Sequence, residues 1–436
     1  MVTFLHLSDI HFAIRNQGTQ FDLDERLREA IFDDIRANLS DVGHYDGILI
    51  SGDIAFSGKP AEYGRATKWL EELCVATGSE PTAIFVVPGN HDVDRTFVER
   101  DSFIWVGHRA LRECVEKQQW LDRLQAQLTD KSCDSLRPLH NYNEFAQAYT
   151  CRTDAKRLSW RIEHPKPLSD GTRIAIFGIN SAIVSDVDDA RGNLLVSDFQ
   201  FHELTSDRDF VNLLLCHHPP TWLKDDQMVS DQLKAYVHVA LFGHEHAWRC
   251  RNVDGKLHLM AGAMHPDRHE ADWTPTYHIV QLDVDLNVLT VRVVTRQWSP
   301  ADLKFLAARH STGLAWEDHR IALPVRGHNM VKSHIHVPPH TATAGPMTDP
   351  IPDQPVDRSA FQRELVVHFF RLGIPLRYRA AEAAGLLKEN DNFLEPQALW
   401  SEIFYRAVQE NRLQHLWDAV ALREPRLRNR PNPFQP

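Results

Sequence analysis

Short apolar runs alternate with amphipathic segments along the first 250 residues. Runs of strand length, rich in β-branched residues, occupy residues 2–7, 47–50, 83–87, 173–177, 211–215 and 238–242. Between the first two runs, apolar residues recur at four-residue spacing, at Leu23, Leu27, Ile31, Ile35 and Leu39. Residues 63–73 show a similar helical face. Because buried strands alternate with helices, the pattern predicts an α/β fold.

Two later stretches depart from this alternation. Residues 256–260, 277–284 and 288–295 follow one another without helical sequence, which predicts a β-meander and mixed rather than purely parallel sheets. Residues 96–157 are polar and helical in pattern, and they carry Trp105, Trp120 and Tyr142. We expect this stretch to be an insertion in the domain, which would span residues 1–336.

The composition changes after residue 336. Residues 337–357 are rich in Pro, Thr, Ala and Asp, as in a semi-extended linker. Residues 358–424 show apolar positions at helical spacing, such as Phe361, Leu365 and Phe369, and predict a small all-α domain. The linker favours an independently mobile module, and residues 425–436, rich in Arg and Pro, are expected to form a flexible tail.

Composition limits the classes of function. The formal charge of −11 over 436 residues provides no overall basic field for long nucleic acid. The six cysteines are scattered without a CxxC pair, which argues against a thiolate zinc motif or a disulfide framework. We expect a cytoplasmic protein, because the chain begins directly with a strand pattern and contains no run of eighteen apolar residues.

Metal-binding side chains follow five of the predicted strands. They comprise three carboxylate or amide groups and four imidazoles: Asp9, His11, Asp53, Asn90, His217, His244 and His246. Strand carboxyl ends are where open α/β sheets place ligands. With 25 histidines in the chain a single one is uninformative, but seven O and N donors match the need of a two-metal phosphoryl-transfer site.

These segments have the order and form of a known family. The DxH, GD, GNHD, H and GHxH motifs at residues 9–11, 52–53, 89–92, 217 and 243–246 resemble those of the calcineurin-like metallophosphoesterases. The resemblance covers residues 1–296. It implies a four-layer α/β/β/α sandwich, to which this chain adds its small all-α C-terminal domain.

The resemblance also implies a role for each residue. One ion would be held by Asp9, His11 and His246. The second would be held by Asn90, His217 and His244, with Asp53 bridging both. For the fourth segment we prefer His217 over His218, because the family's ligand follows the strand directly. The donors allow Mn, Fe, Zn or Co, and the resemblance favours Mn.

The implied reaction is in-line attack of a metal-bridging hydroxide on phosphorus. His91 would act as general acid or electrostatic stabiliser, and the Asp92 carboxylate would orient its imidazole. Glu245, between two ligand histidines, is expected to be solvated. His265 is not assigned to the site.

The substrate prediction rests on finer similarity. Residues 52–63, 177–181 and 192–204 resemble the cyclic-nucleotide phosphodiesterase branch, so we expect hydrolysis of phosphodiester bonds in a cyclic or small nucleotide. A metal-dependent DNA or RNA nuclease is the alternative, since repair nucleases open with a similar segment. A signalling adaptor is the non-enzyme alternative, against which the intact His91 and Asp92 argue.

Residues 358–424 resemble the effector-associated, death-like domains of bacterial conflict systems. The resemblance rests on segments 361–365, 399–404, 410–413 and 416–422. It implies an interaction module that recruits an effector enzyme to a protein partner bearing a matching domain. We expect no membrane partner.

Overall fold

The computed structural model describes the chain except residues 14–22, 130–134, 156, 208, 265–273, 311, 325–358, 389–390, 392–395 and 436. The predicted linker and His265 lie outside the described residues. In the described part of the chain, no helix combines the length and hydropathy needed to cross a membrane.

The strands lie within residues 2–322. They are β1 (Val2–Leu7), β2 (Gly47–Ile50), β3 (Ile84–Val86), β4 (Ser159–His164), β5 (Arg173–Ile179), β6 (Phe210–Cys216), β7 (Val239–Phe242), β8 (Arg249–Val253), β9 (Lys256–Met260), β10 (Thr276–Asp285), β11 (Val288–Ser299), β12 (Lys304–Ala307) and β13 (Glu317–Ala322). Every residue of β1, β2, β3, β6 and β7 is buried, as expected for apolar runs covered on both faces.

The helices flank the strands and form the C-terminal region. They are α1 (Leu23–Val42), α2 (Pro60–Thr77), α3 (Phe103–Glu113), α4 (Lys117–Thr129), α5 (His140–Gln147), α6 (Asp226–Tyr236), α7 (Ser359–Arg371), α8 (Ile374–Ala383), α9 (Pro396–Gln409) and α10 (Leu413–Ala421). The predicted insertion at residues 96–157 thus contains α3, α4 and α5.

The strands form two mixed sheets. The first has the order β12-β11-β10-β1-β2-β3, with β13 also paired to β11. The second has the order β4-β5-β6-β7-β9-β8. Strands β1, β2 and β3 are mutually parallel, as are β5, β6 and β7. The sheets share one hydrophobic core, in which Trp160 of β4 stacks on Phe85 of β3 at 6.3 Å between ring centroids. The α/β prediction with mixed sheets is confirmed.

The predicted β-meander is wrong. Strand β9 pairs with β7 and β8 in the second sheet, whereas β10 and β11 belong to the first sheet. The chain therefore passes from the second sheet to the first between the end of β9 at Met260 and the start of β10 at Thr276. Spacing along the sequence does not reveal such a change, because strands of either sheet show the same apolar alternation.

The C-terminal helices have their own core but also contact the first sheet. Buried Leu365, Phe369, Trp400 and other apolar residues form a separate cluster. Arg363 of α7 is buried and donates from Nε to the Thr82 carbonyl oxygen at 2.8 Å. These contacts differ from the expected independently mobile module, because a buried cation fixes α7 to the edge of the first sheet.

The final residues are packed rather than loose. Leu427 is fully buried and Phe434 is 6% exposed, both within the C-terminal core. The Phe434 ring meets the Trp417 ring at 5.8 Å between centroids. The prediction of a flexible tail at residues 425–436 is therefore wrong for the described residues 425–435, because Leu427 and Phe434 anchor an otherwise polar sequence.

Candidate metal centre

The loops after β1, β2, β3, β6 and β7 meet at one edge of the two sheets. Five residues on these loops, none of them glycine, have left-handed backbone, with φ from 51° to 68°: Asp9, His11, Asp53, His244 and His246. Each such conformation costs of order 1–3 kcal/mol and persists where the surrounding structure imposes it. The strain therefore coincides with five of the seven side chains singled out in the sequence.

Asp9, His11 and His246 form the first group of possible ligands. One ligand atom of each lies within 4.8 Å of the others. Asp9 is fully buried, yet its Oδ1 accepts no hydrogen bond, and His246 Nε2 lies 3.4 Å away. Because a buried carboxylate oxygen without a hydrogen bond is costly, this atom fits a cation-binding role.

Asn90, His217 and His244 form the second group. Asn90 Oδ1 lies 3.1 Å from His217 Nε2 and 3.0 Å from His244 Nδ1. Asp53 lies between the two groups, with its Oδ2 3.2 Å from both His11 Nε2 and His217 Nε2. The structure thus brings all seven predicted ligands together, and Asp53 has the central position that a bridging carboxylate requires.

His218 lies closer to this centre than the sequence suggested. One of its ring nitrogens falls within 4.8 Å of ligand atoms of His217 and His244. Its Nδ1 lies 2.9 Å from the Ser181 hydroxyl, and its buried Nε2 has no hydrogen-bond partner. The contacts with Asn90 and Asp53, however, are made by His217, in agreement with the preference for the first histidine.

The charges of these buried groups are strongly coupled. Burial opposes ionisation of Asp53, but neighbouring His217 and His91 hold its pKa well below the usual range. Burial would lower the pKa of His217, but the Asp53 carboxylate raises it to about 9. For His244, burial and then the field of His217 lower the pKa to about 3. The ionised Asp53 carboxylate and the neutral His244 imidazole are donors that divalent cations require, whereas an ion bound at His217 would displace the proton that Asp53 stabilises there.

The His91 imidazole is not oriented by the Asp92 carboxylate, contrary to the prediction from the sequence. His91 Nδ1 lies 2.8 Å from the Phe56 carbonyl oxygen, which orients the imidazole. The Asp92 carboxylate instead accepts hydrogen bonds from the backbone N–H groups of Ala55 and Gly89, each at 2.9 Å. The prediction that Asp92 orients His91 is therefore wrong, because three backbone donors, the third being the Ile54 N–H at 3.2 Å, and the Tyr63 hydroxyl at 2.9 Å occupy this carboxylate.

An open cavity of about 400 Å³ adjoins the cluster. Besides predicted ligands and His91, it is lined by Arg191, Trp222, Glu245 and Arg249. The Glu245 side chain is only 9% exposed. Its carboxylate forms ion pairs with Arg191 at 2.8 Å and with Arg249. The expectation of a solvated Glu245 is thus wrong. Sequence reasoning missed both arginines and Trp222, because none of them belongs to a ligand motif.

The predicted insertion supports the loop that carries Arg191. Arg112 of α3 donates to the Asp186 carboxylate at 2.7 Å and to the Asp189 carboxylate at 2.8 Å. The Trp105 indole N–H donates to Asp188 at 2.7 Å. These three hydrogen bonds fix the segment that precedes Arg191, so α3 positions one wall of the cavity.

Gly89 provides a test of how tightly the loops converge. A Cβ atom at this position would overlap the Asp53 carboxylate and lie 2.7 Å from the Asp53 backbone nitrogen. We expect Gly89→Ala to displace Asp53 and to lower any metal-dependent activity by about 10²-fold or more, as expected for a misplaced catalytic group. Metal content and hydrolysis rate are the measurements.

Gly64→Ala is the matched control for this substitution. Gly64 lies within α2, and a Cβ there meets no atom within 4 Å. Alanine should therefore raise the free energy of unfolding by about 0.5–1 kcal/mol and leave activity unchanged. Equal activity losses in the two variants would show that the close approach at Gly89 does not matter.

The fold and this cluster together define an α/β protein with a candidate two-metal site at its strand ends. The sequence model of the family described as "Calcineurin-like phosphoesterase" matches residues 2–248. The chain belongs to this family.

Individual relatives are distant. An uncharacterized metallophosphoesterase-like protein of Bacillus subtilis, YydB, is 22% identical over 338 residues, which cover 73% of this chain and 64% of the relative. The match thus spans less than two thirds of that protein. A purple acid phosphatase from yellow lupin aligns over 74% of this chain and 53% of its own, with 11% identity and a TM-score of 0.38. GAP50 of Plasmodium aligns over 74% and 90%, with 12% identity and a TM-score of 0.37.

Proposed function

We propose that the protein is a metal-dependent phosphoesterase that hydrolyses phosphodiester bonds, with a cyclic or small nucleotide as its substrate. The observation that carries this proposal is the convergence of seven residues with O and N donors, with Asp53 between the two groups, beside a cavity that opens to solvent. Family membership supports hydrolysis of phosphate esters, and the finer substrate class rests on this chain's own residues.

Two divalent ions fit the donor set. Asp9, His11 and His246 would hold one ion, Asn90, His217 and His244 would hold the other, and Asp53 would contact both. The Asp9 Oδ1 atom, buried without a hydrogen bond, supports this assignment. Bound there, such ions supply an activated water and neutralise charge on phosphoryl oxygens. The absence of thiolates from the set is compatible with Mn, our preferred metal, and with Fe, Zn or Co.

His91 is the residue best placed to assist the leaving group. A carbonyl oxygen only accepts, so the contact with Phe56 requires that His91 Nδ1 carries a proton and donates it. The other ring nitrogen, Nε2, is then the atom available to the leaving oxygen. The His91 backbone N–H donates to Asp53 Oδ1 at 2.8 Å, which fixes the imidazole relative to the metal ligands.

The cavity supports a small, singly charged phosphodiester. Its volume of about 400 Å³ lies within the range of small-molecule sites. The positive charges of Arg191 and Arg249 are offset in part by Glu245, which leaves one net positive charge on this wall. That charge matches a diester monoanion, and Trp222 offers an aromatic surface to a base.

The His91→Ala variant tests the role of His91. We expect kcat to fall by about 10²–10³-fold, within the range for loss of a general acid or base, with metal content unchanged. The loss should be larger for a substrate with an alkoxide leaving group than for one with p-nitrophenolate, because only the alkoxide needs a proton. His202→Ala, at an exposed histidine, is the control. An equal loss for both leaving groups would contradict proton transfer by His91.

The substrate class is tested by hydrolysis assays with the purified, Mn-loaded chain. Cyclic nucleotides, linear dinucleotides, DNA, RNA and a chromogenic diester are compared, with Asp53→Asn as the blank. Faster turnover of cyclic or short substrates would support the proposal. Preferred cleavage of polymers would favour the nuclease alternative, and no turnover of any substrate would favour the adaptor alternative.

Binding of a protein partner by the C-terminal helices, and the role in a bacterial conflict system, stay predictions. The C-terminal helices carry exposed apolar side chains, among them Ile374, Tyr405 and Val408. Such side chains are compatible with an interaction surface in addition to the contact with the first sheet.

A further inference from the structure

A second cluster of metal-binding side chains lies away from the cavity. Cys250 of β8, His310 and Glu317 of β13 each place one ligand atom within 4.8 Å of the other two. His310 Nδ1 lies 3.2 Å from Glu317 Oε2, and the His310 side chain is fully buried. None of these three residues belongs to the ligand motifs after the parallel strands.

Unsatisfied nitrogens point to a ligand at this cluster. His310 Nε2 and His319 Nε2 are both buried and have no hydrogen-bond partner. The His319 Nε2 atom lies 3.8 Å from Glu317 Oε1, beyond hydrogen-bond distance. Two buried imidazoles with unpaired nitrogens around one carboxylate are costly in a hydrogen-bonded protein interior, and a bound cation removes this cost.

We propose that Cys250, His310 and Glu317 bind a structural zinc ion, and that His319, whose Nε2 lies 3.8 Å from Glu317 Oε1, moves in as the fourth ligand. A thiolate, imidazoles and a carboxylate are all donors that zinc accepts in four-coordinate sites, and the thiolate distinguishes this site from the oxygen and nitrogen donors around Asp53. This site could not be predicted from the sequence, because the four residues are not arranged in a compact Cys/His motif.

The site would connect the two sheets. Strand β8 lies at the edge of the second sheet, whereas β13 pairs with β11 in the first. Strand β8 also begins three residues after His246, and the intervening Trp248 ring contacts the His310 ring at 5.1 Å between centroids. An ion at Cys250 would therefore fix the outgoing end of the loop that carries His244 and His246.

Cobalt substitution gives a direct test on the full chain. Co²⁺ bound to a thiolate shows an intense near-ultraviolet charge-transfer band, which ions at the candidate active site cannot produce because that donor set has no sulfur. We expect this band in the wild-type protein and in the Asp53→Asn variant. Cys250→Ala should lose the band, and the matched variants Cys74→Ala and Cys216→Ala should keep it.

Absence of the band from the wild-type protein would overturn the proposal, and so would its persistence in Cys250→Ala. The Glu317→Gln variant provides a second measurement if Cys250→Ala does not fold. It keeps the thiolate but replaces a charged ligand, so Co²⁺ affinity measured by the same band should fall about tenfold or more. Unchanged affinity in Glu317→Gln would exclude the proposed ligand set.

Discussion

The Asp53→Asn variant is expected to lose phosphoester hydrolysis almost completely while keeping its fold. Asp53 Oδ2 is 3.2 Å from ring nitrogens in both ligand groups, so the substitution removes the one negative charge that both ions would share. Losing about 4 kcal/mol of transition-state stabilisation corresponds to a rate reduction of roughly 10³-fold. The measurements are kcat/KM on a chromogenic diester and bound metal per chain.

The fold should survive this substitution because an asparagine side chain has the same shape. Its amide oxygen can still accept the hydrogen bond from the His91 backbone N–H. Thermal unfolding monitored by circular dichroism should therefore remain close to wild type. Asp33→Asn, at a side chain 82% exposed on α1, is the matched control and should retain full activity. Wild-type turnover by Asp53→Asn would exclude Asp53 from the reaction.

The second large effect is expected at Arg363. Its guanidinium donates to the carbonyl oxygens of Thr82 at 2.8 Å and Ile84 at 2.6 Å, and to that of Tyr149. It also lies over the Phe85 ring at 4.8 Å. Ile84 belongs to β3, the edge strand of the first sheet. Arg363 therefore donates to a carbonyl group on the side of β3 that has no neighbouring strand.

The Arg363→Ala variant should lower the free energy of unfolding by about 2–4 kcal/mol, because several buried carbonyl groups lose their donors together. The measurement is the urea midpoint at constant m-value. The exposed Arg379→Ala is the control and should change stability by less than about 0.5 kcal/mol. If both variants unfold at the wild-type midpoint, α7 does not stabilise the catalytic domain.

The same contact changes the expectation for a truncated chain. From the linker composition alone, removing residues 340–436 should leave hydrolysis largely intact. The buried position of Arg363 predicts instead that truncation uncovers the β3 edge and destabilises the catalytic domain. The composition of the linker predicts a semi-extended connection. It contains no information on whether the helices that follow it pack against the β3 edge.

The candidate site was predictable because its ligands follow strongly apolar strands. Periodicity placed β1, β2, β6 and β7 correctly to within about one residue, and each polar motif begins where the strand ends. The parallel arrangement then brings Asp9, Asp53 and His217 to one edge. The left-handed backbone at Asp9 and Asp53 was not predictable, since neither residue type requires a positive φ.

The pattern of apolar and polar positions could not predict contacts between groups that are distant in sequence. The sequence placed Asp92 beside His91, and adjacency suggested a pair, but the backbone N–H groups of Ala55 and Gly89 compete for that carboxylate. Glu245 was expected in solvent for a similar reason, because its partner Arg191 is 54 residues away. In each case burial and at least one distant partner, Ala55 for Asp92 and Arg191 for Glu245, contribute to the role, and neither is visible in local spacing.

Chelation followed by reconstitution tests the central claim most directly. The purified chain is stripped of metal, assayed with bis(p-nitrophenyl) phosphate and then titrated with Mn²⁺, in parallel with the Asp53→Asn variant. We predict that the stripped wild-type protein is inactive, that activity returns as Mn²⁺ binds, and that Asp53→Asn stays inactive. Full hydrolysis by the stripped protein, or equal recovery in Asp53→Asn, would contradict a two-metal phosphoesterase site centred on Asp53.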